Sequence, residues 1–155
     1  MFFGTEVMEN LHFHPEKTLE IRTMNCQDIL VNRYLEITEI SAAISHIYGL
    51  SQSEVFVLEE MPFDPISDCI RILCQVQDID GDFKQLISIY IKDDSLTKFS
   101  INEVVESFCD ICKCVCLISD LSDNPYSMIM VKGKSNVRIV YLSAQLLEEE
   151  KYVLI

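Results

Sequence analysis

The chain has 155 residues, 25 of them acidic against 12 basic, for a formal charge of −13. A hydrophobic content of 49% excludes a disordered chain, which is poor in aliphatic residues. The acidic excess argues against nucleic-acid binding, which needs Lys and Arg to neutralise phosphates. The length matches one domain over residues 1–155, enough to bury about two-thirds of its unfolded surface.

Residues 1–24 read as an extended lead-in, with 18–23 alternating at strand period. Asn25 is placed to cap a helix. Apolar residues at 30, 34, 37, 40, 44 and 47 fall three or four apart and predict a helix over 29–48. Gly49 would end it in a left-handed conformation. Residues 55–58 are a short strand by composition, and Pro62 and Pro65 break the segment after it. Residues 69–79 alternate as a strand, Asp80-Gly81 is a two-residue hairpin signal, and 83–91 is the returning strand. A second helix is predicted over 101–111, with Ser100 and Glu103 as a capping box and Val104, Val105, Phe108 and Ile111 facing inward. A strand over 114–118, a polar loop over 120–125 and a hairpin of 126–131 with 137–142, joined by 132–136, come next. Residues 144–151 offer one or two helical turns. Two helices among hairpins predict an α+β fold, a mostly antiparallel sheet with both helices packed on one face.

Seven cysteines, at 26, 69, 74, 109, 112, 114 and 116, are an odd number and argue against a closed disulfide framework. They point to a reducing, cytoplasmic setting. The first seven residues have neither the basic region nor the apolar run of a signal peptide. The longest uncharged stretch, 40–53, is well short of the ~20 apolar residues of a membrane span.

Few constellations suggest chemistry. Cys109-x-x-Cys112-x-Cys114-x-Cys116 has the look of a metal site, but structural zinc sites use two separated ligand pairs. The four cysteines straddle a helix-to-strand junction, so their thiols are not expected to converge, and neither a metal nor a cofactor is expected. Asp78-Ile-Asp-Gly-Asp82 begins like a calcium loop, but Gly81 is fourth rather than sixth and Ile89 stands where the closing Glu belongs. His12, His14 and His46 sit in no Ser/His/Asp or Cys/His pattern. Lys132-Gly-Lys-Ser lacks the upstream glycine of a phosphate loop. Residues 40–58 have the outline of a helix-turn-helix without the basic outer face that reads DNA.

Charge is the informative feature. Between Arg33 and Arg71 the chain holds Glu36, Glu39, Glu54, Glu59, Glu60, Asp64 and Asp68, and no basic residue. The 132–138 region, in contrast, is basic. A dense acidic surface aids solubility; it also steers basic partners and speeds association. Asp120 and Asp123 of the polar loop are a second acidic candidate.

Two stretches carry a resemblance. They are Ile40-Ser-Ala-Ala-Ile-Ser-His-Ile-Tyr-Gly with Glu54-Val-Phe-Val-Leu-Glu-Glu, and Cys116-Leu-Ile-Ser-Asp-Leu-Ser-Asp-Asn-Pro-Tyr before a strand pair. With the size and charge, the chain resembles the immunity proteins of bacterial polymorphic toxins, including those of contact-dependent growth inhibition. The resemblance implies a non-enzymatic protein of the bacterial cytoplasm that binds and neutralises one cognate toxin domain, often a basic nuclease. The nine acids named above would form the partner surface, with neither nucleic acid nor membrane as partner. The alternatives are a small metal- or thiol-dependent enzyme or sensor, built on His12, His14 or the Cys109–Cys116 cluster, and a generic cytosolic adaptor.

Overall fold

A computed structural model describes residues 25–155. The lead-in expected over 1–24, with His12 and His14, lies outside the described residues. In chain order the elements are β1 (Asn25–Val31), α1 (Ile37–Tyr48), β2 (Val55–Leu58), β3 (Ile72–Asp78), β4 (Asp80–Gly81), β5 (Gln85–Ile91), α2 (Ile101–Cys112), β6 (Cys116–Ser119), β7 (Ser127–Gly133), β8 (Asn136–Tyr141), α3 (Ala144–Glu148) and β9 (Lys151–Tyr152). Seven strands form one sheet in the order β2-β3-β5-β1-β6-β7-β8. Among the described residues only β2 and β3 pair in parallel within it. The fold is α+β, as the sequence predicts.

The first helix is shorter than expected. Residues 25–31 are the central strand of the sheet, and Asn25 opens that strand instead of capping a helix. Ile29, Leu30 and Val31 are buried on both sheet faces, and a continuous apolar run of this kind suits a central strand. Helix α1 starts six residues later. There Glu36 and Glu39 form a capping box, with the Glu39 carboxylate accepting from the Glu36 amide at 3.1 Å. Ile40, Ala43, Ile44 and Tyr48 make its buried stripe, and Gly49 ends it at φ 67°, where a Cβ would be strained.

Both main helices cover the same sheet face. Val104, Val105, Phe108, Cys109 and Cys112 of α2 pack with the α1 stripe over Val31, Ile72, Cys74, Ile87, Ile89, Cys116 and Val131. Ile111, expected inward, is exposed, because the buried stripe runs 104, 105, 108, 109, 112 and Ile111 falls off its edge. Ser100 is the N-cap of α2, but its side chain makes no capping hydrogen bond and the expected box with Glu103 does not form.

The opposite sheet face holds Leu30, Leu86, Leu117, Met128 and Met130. Leu142, Tyr152 and Phe83 cover it from the C-terminal segment and the β3–β5 connection. That connection differs from the expected two-residue turn. Asp78 pairs with Gln85, so residues 79–84 form the loop. Asp80-Gly81 instead makes the two-residue strand β4, parallel to β9. Gly81 is required there: a Cβ would lie 2.4 Å from the Tyr152 carbonyl oxygen. Asp82 completes the clasp, its amide donating to Tyr152 O at 2.8 Å and its carboxylate accepting from Leu154 N at 2.9 Å. The β7–β8 turn is also tighter than expected. Gly133 pairs with Asn136, leaving Lys134-Ser135 as the two-residue loop, with Ser135 at φ 62°.

Candidate functional site

The nine acidic residues divide between the two ends of the sheet. Strands β1 and β2 run in the same direction, so Glu36 and Glu39, which come after β1, lie at the same end as Glu59 and Glu60, which come after β2. Strands β3 and β5 separate the two pairs, a spacing of about 14 Å. Exposed Asp78, the last residue of β3, and Asp80, in the β3–β5 connection, add to this end. Glu54 precedes β2, Asp68 precedes β3, and Asp120 and Asp123 come after β6, which runs the other way; these lie toward the opposite end. Asp64 sits on the long connection between β2 and β3. The first end is polar along its width: Lys132 and Lys134 occupy the β7–β8 side, the acids the β2–β3 side.

Three of the nine carboxylates already have internal work. Glu39 accepts from the Glu36 amide and pairs with Arg33 at 3.2 Å, and both hold its carboxyl below the usual range. Glu54 accepts from the Ser51 amide at 2.9 Å and pairs with Arg71 at 3.5 Å, with the same effect. The basic residues that bound the acidic stretch in sequence thus fold back onto two of its members. Asp120 accepts from the Ser127 hydroxyl at 2.5 Å and the Ser122 amide at 3.0 Å, which lowers its pKa and fixes its own loop. Glu36, Glu59, Glu60, Asp64, Asp68 and Asp123 are exposed and make no ion pair among the described residues.

The segment after β2 carries a feature that the charge pattern does not single out. Glu59-Glu60-Met61-Pro62-Phe63-Asp64-Pro65 leaves the edge strand with every residue exposed. Phe63 is 108% exposed, and Met61 and the edge-strand residue Phe56 are open as well. Pro62 and Pro65 flank the ring and restrict the backbone around it. The ring is open to solvent beside carboxylates and available to a partner. The signal for it in sequence is an aromatic residue between two prolines.

The thiols are arranged otherwise than expected. The Cys109, Cys114 and Cys116 sulfurs all lie within 4.8 Å of one another, and all three residues are buried. Cys112 stays outside the group; burial pushes its thiol up to about 12. Helix α2 delivers Cys109, and Lys113 at φ 53° reverses the chain. Cys114 and Cys116, two apart, then return to one side beneath the helix, where alternation in extended chain keeps them together. Hydrogen bonds from the Cys114 and Cys116 thiols lower the Cys109 pKa. Cys74 and Cys26 are apart from it and raised to about 12, each mainly by burial.

Between the helices a groove of about 440 Å³ is lined by His46, Ile47, Phe99, Glu103, Ser107 and Asp110 among others. His46 is exposed on the last turn of α1.

Comparison with protein-family models, curated proteins and solved structures finds no match. Among the described residues no helix is long and apolar enough to cross a membrane.

Proposed function

We propose that this protein is an inhibitory binding protein of the immunity type. It takes a basic, nuclease-like toxin domain onto the corner formed by the end of β2, the Glu59–Pro65 segment and the β3–β5 connection. The observation that carries the reading is Phe63, fully exposed between Glu60 and Asp64. Interfaces draw most of their energy from a few aromatic or Arg anchors that enter partner pockets, ringed by polar contacts that exclude water. Phe63 has the position of such an anchor. The surrounding carboxylates steer a basic partner and mimic the phosphates of its substrate. Strand β2, at the sheet edge among the described residues, lies beside them. Glu54, Asp68, Asp120 and Asp123 fall outside this corner, toward the other end of the sheet, and Glu39 is paired with Arg33. Seven free cysteines fit a cytoplasmic, reducing home for the complex.

Co-expression with the product of the gene immediately upstream tests the role. That product should arrest growth alone, be silenced by this protein, and co-purify with it in a fixed ratio. A harmless product, or two proteins that never co-purify, would overturn the proposal.

A further inference from the structure

We infer that Cys109, Cys114 and Cys116 form a three-thiolate site for a thiophilic d10 metal ion, monovalent copper before zinc. Three observations carry this.

Spacing is the first. Metal–thiolate bonds of about 2.3 Å in a trigonal set put the sulfurs about 4.0 Å apart. The Cys114 and Cys116 sulfurs are 3.9 Å apart, and no pair in the trio exceeds 4.8 Å. Even an equilateral set at that limit has its centre about 2.8 Å from each sulfur, so closing onto an ion takes shifts near half an ångström. A disulfide needs sulfurs at about 2.05 Å, a far larger movement.

The second is the scaffold. The Cys114 amide donates to the Cys109 carbonyl at 3.2 Å, and Cys109 Sγ donates to Val131 O at 3.3 Å. The helix end, the left-handed Lys113 and strand β7 therefore hold the three sulfurs facing one another before any ion arrives. Such preorganisation lowers the cost of binding.

Ligand number and burial are the third. Cys109, Cys114 and Cys116 are 2%, 5% and 0% exposed. Among the described residues no His, Asp, Glu or fourth Cys joins the group. Zinc completes four-coordination with a fourth side chain or a water, and the described residues offer no fourth side-chain ligand. Monovalent copper is soft, selects thiolates, and accepts three-coordination. Binding replaces three S–H bonds by three S–metal bonds and releases up to three protons to solvent. The net negative charge left by copper lies near Arg33, whose guanidinium is bonded to the Cys112 carbonyl at the end of the same helix.

The test uses the full chain, reduced and handled without oxygen. Monovalent copper, buffered by a chromophoric chelator, and zinc are titrated in separate arms. The bound metal is counted by elemental analysis after desalting, and protected thiols are mapped by alkylation and mass spectrometry. One copper per chain is expected, with a near-ultraviolet thiolate-to-copper band and protection confined to Cys109, Cys114 and Cys116. Cys109→Ser and Cys114→Ser should each weaken binding at least 100-fold, while Cys69→Ser, Cys26→Ser and Cys112→Ser keep it. One zinc held by the same three thiols would support the site and reassign its ion. No stoichiometric metal in either arm, or metal that protects other cysteines in the unmutated chain, would overturn the inference. The mapping is done on unmutated protein, so a variant that fails to fold does not blur the outcome.

Discussion

The Arg33 guanidinium, just past the end of β1, donates from Nε to the main-chain carbonyl oxygen of Cys112 at 3.2 Å, and Nη2 of the same group bonds that oxygen too. Seventy-nine residues separate the two in sequence. A cation placed on the last carbonyls of a helix satisfies an acceptor that the helix cannot, and it complements the dipole there. Arg33 also pairs with Glu39 in the first turn of α1. One side chain therefore joins the central strand to both helices of the buried face.

Removing it should be felt in stability. Arg33→Ala is expected to cost about 1–2 kcal/mol, since it deletes charge-assisted hydrogen bonds that are only partly shielded from water. Arg33→Lys should recover less than half, because an ammonium has no planar fork to span the carbonyl and the carboxylate. Urea unfolding of the three proteins, compared at constant slope, checks this. Indistinguishable midpoints would show that solvent replaces Arg33 without loss.

Asp93 provides a pH-dependent contribution whose sign is fixed by its partners. Its carboxylate accepts from the Ser95 hydroxyl at 2.7 Å and the Ser95 amide at 2.9 Å, and it pairs with Arg71. These bonds favour the charged form and lower its pKa below the usual 3.8. A depressed folded-state pKa means the stabilisation is complete above the unfolded value and lost as pH falls through the folded one. The stability difference between the unmutated protein and Asp93→Asn should hold steady from about pH 5 to 8 and shrink below about pH 4. Urea unfolding at four pH values measures it. A difference independent of pH would contradict a lowered folded-state pKa for Asp93.

The class of fold was legible in the sequence because strands 72–78 and 85–91 and the helix over 101–112 carry their own periodicity, and 55–58 has the composition of a strand. The misreadings have physical causes. Residues 29–31 look helical when joined to the apolar series beyond them, yet burial on both faces of a sheet needs no alternation. Asp80-Gly81 is a turn pair by local preference, and here a distant contact with Tyr152 uses the same glycine. The thiol trio was hidden because convergence depends on Lys113 taking a left-handed conformation, which its side chain does not advertise.

The acidic stretch shows the limit of linear charge counting. Seven acids between Arg33 and Arg71 suggest one face, but strand direction sends Glu54 and Asp68 to the far end of the sheet. Glu59, Glu60 and Asp64 stay with Phe63 on one exposed segment, and Asp78 and Asp80, from outside the stretch, lie toward the same end of the sheet. The aromatic ring, invisible to a count of charges, is the member that turns an acidic corner into a site with a centre.

The association rate of the co-purified partner, measured by stopped flow over a range of salt, tests that corner most directly. Glu59→Lys, Glu60→Lys and Asp64→Lys combined should slow association at least tenfold at low salt and flatten its salt dependence. Phe63→Ser should leave folding stability within about 0.5 kcal/mol while speeding dissociation by roughly 30-fold or more, the loss of an anchor worth about 2 kcal/mol. Unchanged association and dissociation in both variants would contradict the proposed surface and move the interface away from Phe63.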